Sequence, residues 1–170
     1  MLKDVINVLK DCFTRLKGVG TFRYQSDSLN NAQNNYKGYQ VYVDDVSEHA
    51  LNITDGTFTA TFQIMVLSHV GKGQTILGVQ DVAYSMAATV VEALDSYPKY
   101  QGVLRVHDYS ILTCSHVTDD DASGVRLTLV LEVPNPADLC DDDIWGEPLP
   151  DPVVKPIEVK TITLPKAKLC

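Results

Sequence analysis

Cys114 and His116 form the one close pair of a thiol and an imidazole in this 170-residue sequence. A strand is predicted to end there. Residues two apart on a strand share a face, so the imidazole could take a proton from the thiol. No GxSxG or other nucleophile signature surrounds either residue. We interpret Cys114 as a residue at the edge of the sheet and His116 as a surface histidine. An enzyme that uses Cys114 and His116 is the alternative.

Metal ligands and phosphate cradles are the other chemistry to test. The two acidic runs, 119–121 and 141–143, lack the glycine and terminal glutamate of a hand-type calcium loop. Gly71-Lys72-Gly73 lies between a predicted strand and a predicted helix but lacks the GxxxxGK[ST] spacing, so it is interpreted as a turn. The histidines are too scattered for metal-ligand spacing: His49, His69, His107 and His116. We therefore expect no catalytic residue, no metal and no cofactor.

Charge and composition exclude further classes. The formal net charge is −8 with a pI near 4.8, and no Lys/Arg-rich stripe is visible, which argues against a basic surface for nucleic acid. The N-terminus carries charges among its apolar residues and does not resemble a signal peptide, and no stretch reaches the length of a membrane span. The cysteines (Cys12, Cys114, Cys140 and Cys170) form no CxxC pair, so free thiols in a reducing cytoplasm are expected.

Hydrophobic periodicity predicts the elements that would position any site. Residues 2–17 form an amphipathic helix that ends at Gly18, and residues 74–94 form a longer, more apolar helix. Alternation at Thr57–Leu67 marks a central strand. Further strands are predicted at 21–25, 39–43, 103–113 and 125–133, with polar loops at 26–35 and 44–56.

The composition changes at Pro134, and seven of the eight prolines lie from this residue onward. The chain is accordingly divided into an α+β domain (1–133) and a Pro-rich, acidic, extended arm (134–170). Trp145, and the alternation over Ile157–Leu164, indicate that the arm makes contacts and can add a strand to a neighbouring subunit. A disordered tail is the alternative. The predicted fold is α+β, with a mainly antiparallel sheet and two helices on one face.

The order of these elements resembles the tail-terminator and head–tail joining proteins of long-tailed bacteriophages. The resemblance covers roughly residues 1–133 and lies in layout and length, because that family has no sharp motif. It implies a structural virion protein, made in the host cytoplasm, that forms a ring, commonly a hexamer. The ring would cap the tail tube and meet the head connector and neck proteins, while DNA passes through its acidic lumen without specific binding.

In such a ring the polar loops and the arm are the expected subunit contacts. The interface residues that this implies are Asn30, Asn34, Asp45, His49, Trp145, Ile157, Val159 and Ile162. The arm departs from the family layout and leaves open which ring of the neck or tail this would be. A tail-tube or tail-completion subunit and a small α+β ligand-binding module are the alternatives. No membrane partner is expected.

Overall fold

The computed structural model describes residues 2–24, 38–52, 56–101, 103–117 and 122–134. Within these ranges the chain forms three helices and six strands. The helices are α1 (Leu2–Thr14), α2 (Ile76–Ser96) and α3 (Pro98–Gln101). The strands are β1 (Val19–Tyr24), β2 (Tyr39–Val43), β3 (Glu48–Asn52), β4 (Thr57–His69), β5 (Arg105–Cys114) and β6 (Ala122–Pro134).

The strands form a single sheet in the order β1-β2-β4-β6-β5, in which only the β1–β2 pair is parallel. β4 lies at its centre and pairs with β6 along its whole length, from Thr57 opposite Pro134 to His69 opposite Ala122. The other side of β4 is shared by β2 and β3. The predicted mainly antiparallel sheet is confirmed.

One side of the sheet, here called the covered face, carries the hydrophobic core. Alternate residues of the two central strands point into it, because side chains on a strand alternate between faces. The amphipathic stripe of α1 (Val5, Leu9, Cys12, Phe13) and the apolar side of α2 pack against the same cluster. Both helices therefore lie on one face, as predicted. On β4 and β6 the buried residues of the covered face are Ala60, Phe62, Ile64, Val66, Val125, Leu127, Leu129, Leu131 and Val133.

Two elements differ from the prediction. The loop predicted over 44–56 contains β3, whose residues pair with Thr57–Thr61 on β4. This strand was missed because Glu48-His-Ala-Leu-Asn52 is short and polar, so the partner strand rather than its own periodicity defines it. The second is α3, a single turn after Pro98 that buries Tyr100. Pro98 cannot continue α2, which ends at Ser96, but a proline fits the first turn of a new helix.

The predicted arm lies outside the described residues from position 135 onward, and so do Trp145 and the alternating segment 157–164. No helix among the described residues is long and apolar enough to cross a lipid bilayer.

Candidate interaction surface

Cys114 and His116 do not both lie on a strand, so the expected placement of the thiol and the imidazole on one face is not observed. β5 ends at Cys114, and His116 lies beyond it with a left-handed backbone (φ 53°). Burial raises the pKa of the Cys114 thiol, which keeps it protonated near neutral pH. The Cys114 carbonyl accepts a hydrogen bond from Gln80 Nε2 at 3.0 Å, so this end of β5 is fastened to α2. The thiol of Cys12 is buried in the core and its pKa is also raised by burial.

The Gly71-Lys72-Gly73 turn uses its polar groups to begin α2. The Gly71 N–H donates to Gln74 Oε1 at 2.8 Å, and Gly73 takes a φ of 86°, which favours glycine. Thr75 then caps the helix, because its hydroxyl accepts the Gly78 N–H at 3.1 Å. The interpretation as a turn into the helix is consistent with these contacts.

The densest polar cluster of the described residues surrounds Asp11. Its carboxylate accepts hydrogen bonds from Arg15 Nε at 2.9 Å, Lys99 Nζ at 2.7 Å and the Tyr100 hydroxyl at 2.7 Å. The bonds from Lys99, Tyr100 and Arg15 hold the pKa of Asp11 well below its usual range. Burial and the bond to Asp11 raise the pKa of Tyr100. The cluster ties α1 to α3 and is structural in character. Nowhere in the described ranges do three His, Cys, Asp or Glu side chains come close enough to hold a metal ion.

The second side of the sheet, here called the open face, faces away from both long helices. On β4 and β6 it presents mainly polar side chains that are partly or fully exposed, together with the half-buried Met65 and Val130, and the described helices pack elsewhere. A small apolar cluster of Tyr42, Leu67 and Ala122 interrupts it, and the Tyr42 hydroxyl donates to the buried Gln40. The polar part of the open face is formed by Thr59, Thr61, Gln63, Arg126, Thr128 and Glu132.

The free edge of β5 borders both faces. β5 is the last strand of the sheet, and no described strand pairs with its outer side. Its first half is protected by Arg105, Asp108 and a bulge at His107, features that commonly block strand addition. The second half, Tyr109–Cys114, contains neither charge nor proline, and Tyr109 and Leu112 are 52% and 59% exposed. An unprotected edge of this kind is a site for pairing with another chain.

A groove of about 520 Å³, here called the β5 groove, lies between α2 and β5. Its floor is apolar, from Ala88, Val91 and Val106, while its rim carries exposed carboxylates. Tyr109 connects it to the free edge. The rim carboxylates belong to Glu92, Asp95 and Asp108.

Two of the eight predicted interface residues lie in the described ranges. Asp45 is exposed in the link between β2 and β3, where its N–H donates to Asp44 Oδ1 at 3.0 Å. His49 lies on β3 opposite Ala60. The other six, Asn30, Asn34, Trp145, Ile157, Val159 and Ile162, are outside these ranges. Sequence reasoning missed the β5 edge and groove, because an alternating strand gives no sign of its place in the sheet order.

Comparison with protein-family models found no match to this chain, and a search of curated proteins found no relative. The bacteriophage resemblance therefore stays a prediction.

Proposed function

We propose that this chain is a ring-forming structural protein of a long-tailed bacteriophage virion, acting as a tail terminator or head–tail connector subunit. In this role it caps the tail tube and joins it to the head. The observation that carries the proposal is the division of the sheet into an apolar face sealed by α1 and α2 and a polar open face.

A polar open face suits a subunit that is made as a soluble protein and assembles later. Interfaces that form between subunits that are already folded are, taken as a whole, about as polar as the rest of the protein surface. The threonine and glutamine side chains of β4 and β6 offer hydrogen bonds without an exposed apolar patch. The free edge of β5 adds backbone donors and acceptors at the border of this surface.

The charge balance supports passage of DNA through such a ring. A net charge of −8 disfavours binding of phosphates, which suits a ring through which DNA passes without specific binding. The proposed partners are other copies of the chain, commonly six in a ring, together with the tail-tube protein and the head connector or neck proteins.

A tail-tube or tail-completion subunit is the second candidate. The free β5 edge favours it as well, because head-to-tail contacts that fail to close into a ring produce open filaments instead. The two candidates differ in whether assembly closes.

Purified protein imaged by negative-stain electron microscopy, alone and after mixing with isolated tail tubes, tests the proposal. A terminator gives single rings of uniform diameter and density at one end of each tube. Open tubes formed by the protein alone would favour the second candidate. Tubes that stay uncapped, beside a protein that forms no rings, would contradict both.

A further inference from the structure

β5 is the last strand of the sheet, and no described strand pairs with its free edge. The β5 groove beside it is lined by residues of α2 and β5. Six consecutive uncharged residues, Tyr109–Cys114, leave the edge open to a further strand. Beside it, Glu92, Asp95 and Asp108 place three carboxylates around an apolar floor. The groove adjoins the first half of β5, at Val106–Tyr109, so a segment paired with Tyr109–Cys114 reaches the groove where it continues past Tyr109. The surface therefore favours an extended segment that is β-forming and positively charged.

The sequence contains one such segment, residues 155–168, here called the lysine segment. Within it, Ile157–Leu164 has five β-branched residues out of eight, which favours an extended strand. Four of the chain's 14 lysines and arginines fall here, against a single acidic residue, Glu158. The protein has a net charge of −8, but this segment has a net positive charge. Its charge is therefore complementary to the carboxylates at the rim of the β5 groove. The four lysines are Lys155, Lys160, Lys166 and Lys168.

The connection to the lysine segment is far longer than a return to the same sheet requires. β6 ends at Pro134, just past Glu132, which pairs with Arg105 at the start of β5. From there a strand beside β5 is only two strand spacings away, roughly 10 Å. Residues 135–156 contain five prolines and, if extended, span about 70 Å. That reach is several times the radius of gyration, roughly 14 Å, of a domain of this size.

We propose that the lysine segment of a second copy of this chain adds to the free edge of β5 as a further strand, with its lysines against the carboxylates of the β5 groove. The contact is head-to-tail, since each subunit gives one segment and receives another, and repeated around an axis it closes a ring. The inference rests on the self-association in the proposed function but not on the role in the tail.

Zero-length cross-linking of the full chain tests this contact. Equal amounts of unlabelled and ¹⁵N-labelled protein are mixed, assembled and treated with a carbodiimide, which joins lysine amines to carboxylates in direct contact. We expect cross-linked peptides between the lysine segment and Glu92, Asp95 or Asp108, half of them containing one labelled and one unlabelled partner. Cross-links within one label only would show that each segment docks on its own domain, which overturns the proposal.

Charge reversal provides the second readout. Glu92→Lys with Asp95→Lys should weaken self-association by about tenfold or more, because lysines would then face lysines. Adding Lys155→Glu and Lys160→Glu to the same chain should restore it. Asp4→Lys, which changes an exposed carboxylate on α1 rather than on α2 or β5, is the control and should have little effect on self-association.

The outcomes separate this inference from the proposed function. Rings that form with no cross-link to the groove, and that are indifferent to the charge reversal, would overturn the docking of the lysine segment and leave the ring proposal standing. A protein that stays monomeric at all concentrations, with no mixed-label cross-link, would overturn both.

Discussion

The two faces of the sheet are built from the same strands but differ in nearly every other respect. On β6, Leu127, Leu129 and Leu131 are fully buried in the covered face. The intervening residues Arg126 and Thr128 reach the open face. The period of two places an apolar and a polar surface 180° apart on one strand. Packing of α1 and α2 buries the covered face, whereas the open face keeps partly exposed polar side chains.

The largest effect is expected from Leu129→Ala on the covered face. Leu129 has no exposed surface and lies opposite Phe62, so truncation leaves a cavity in the centre of the core. We expect a loss of about 2–5 kcal/mol in the free energy of unfolding, measured by urea denaturation. The matched variant Thr128→Ala, one residue away on the open face, should change it by no more than about 0.5 kcal/mol. Equal losses would contradict the division into two faces.

Gly124→Ala should give the next largest loss of stability, because Gly124 is a position on the open face where a side chain is not tolerated. A methyl group at Gly124 would lie 2.0 Å from the carbonyl oxygen of Val66 on β4, a backbone atom that cannot move without disturbing the ladder. We expect a loss of about 1–3 kcal/mol by the same denaturation measurement. Thr61→Ala, on the open face like Gly124, is the control. Gly73→Ala is unsuitable as a control, because the positive φ of Gly73 disfavours alanine.

A smaller, pH-dependent effect is expected from the Asp11 cluster. The folded-state pKa of Asp11 is lowered, so its contribution is fully present above the unfolded pKa of about 3.9 and is lost as the pH falls below it. The pKa of Tyr100 is raised, so its contribution is present below about pH 10 and is lost as the pH rises further. Thermal unfolding between pH 6 and pH 2 should show a smaller fall in Tm for Asp11→Asn than for the unmodified chain.

Asp81→Asn serves as the control for this measurement, since Asp81 is an exposed carboxylate. It should leave the fall in Tm between pH 6 and pH 2 unchanged. An Asp11→Asn protein with the same acid sensitivity as the unmodified chain would show that the cluster does not tie α1 to α3 in solution.

The smallest effect on stability, but a large one on assembly, is expected from Thr128→Arg. The side chain is partly exposed on the open face, so unfolding should change by no more than about 0.5 kcal/mol. If that face contacts a neighbouring subunit, a bulky charge there should abolish rings in electron micrographs. Val82→Arg on α2, 43% exposed and about 180° around the helix from Val91, should preserve them. Rings that tolerate both changes would place the interface elsewhere.

Local periodicity predicted the elements that make the core. The apolar spacing of α1 and α2 and the alternation of β4 and β6 each specify a buried side, and Cys12 on the apolar side of α1 is buried at 6% exposure. These features are visible in sequence because hydrophobic burial imposes a short repeat.

The remaining features depend on residues far apart in the chain. β3 exists through its pairing with β4, and the Asp11 cluster joins residues 88 and 89 positions apart. The free edge of β5 follows from the strand order, which no local pattern specifies. Sequence reasoning therefore found the covered face and missed the groove and edge, which depend on the tertiary arrangement.

Whether the chain closes into a ring is tested by the mass of the full chain in solution, measured by light scattering over a hundredfold range of concentration. A ring subunit should approach one defined multiple of 18.7 kDa and stop there as the concentration rises. A mass of one or two chains that does not change with concentration, in the presence or absence of tail tubes, would contradict the account.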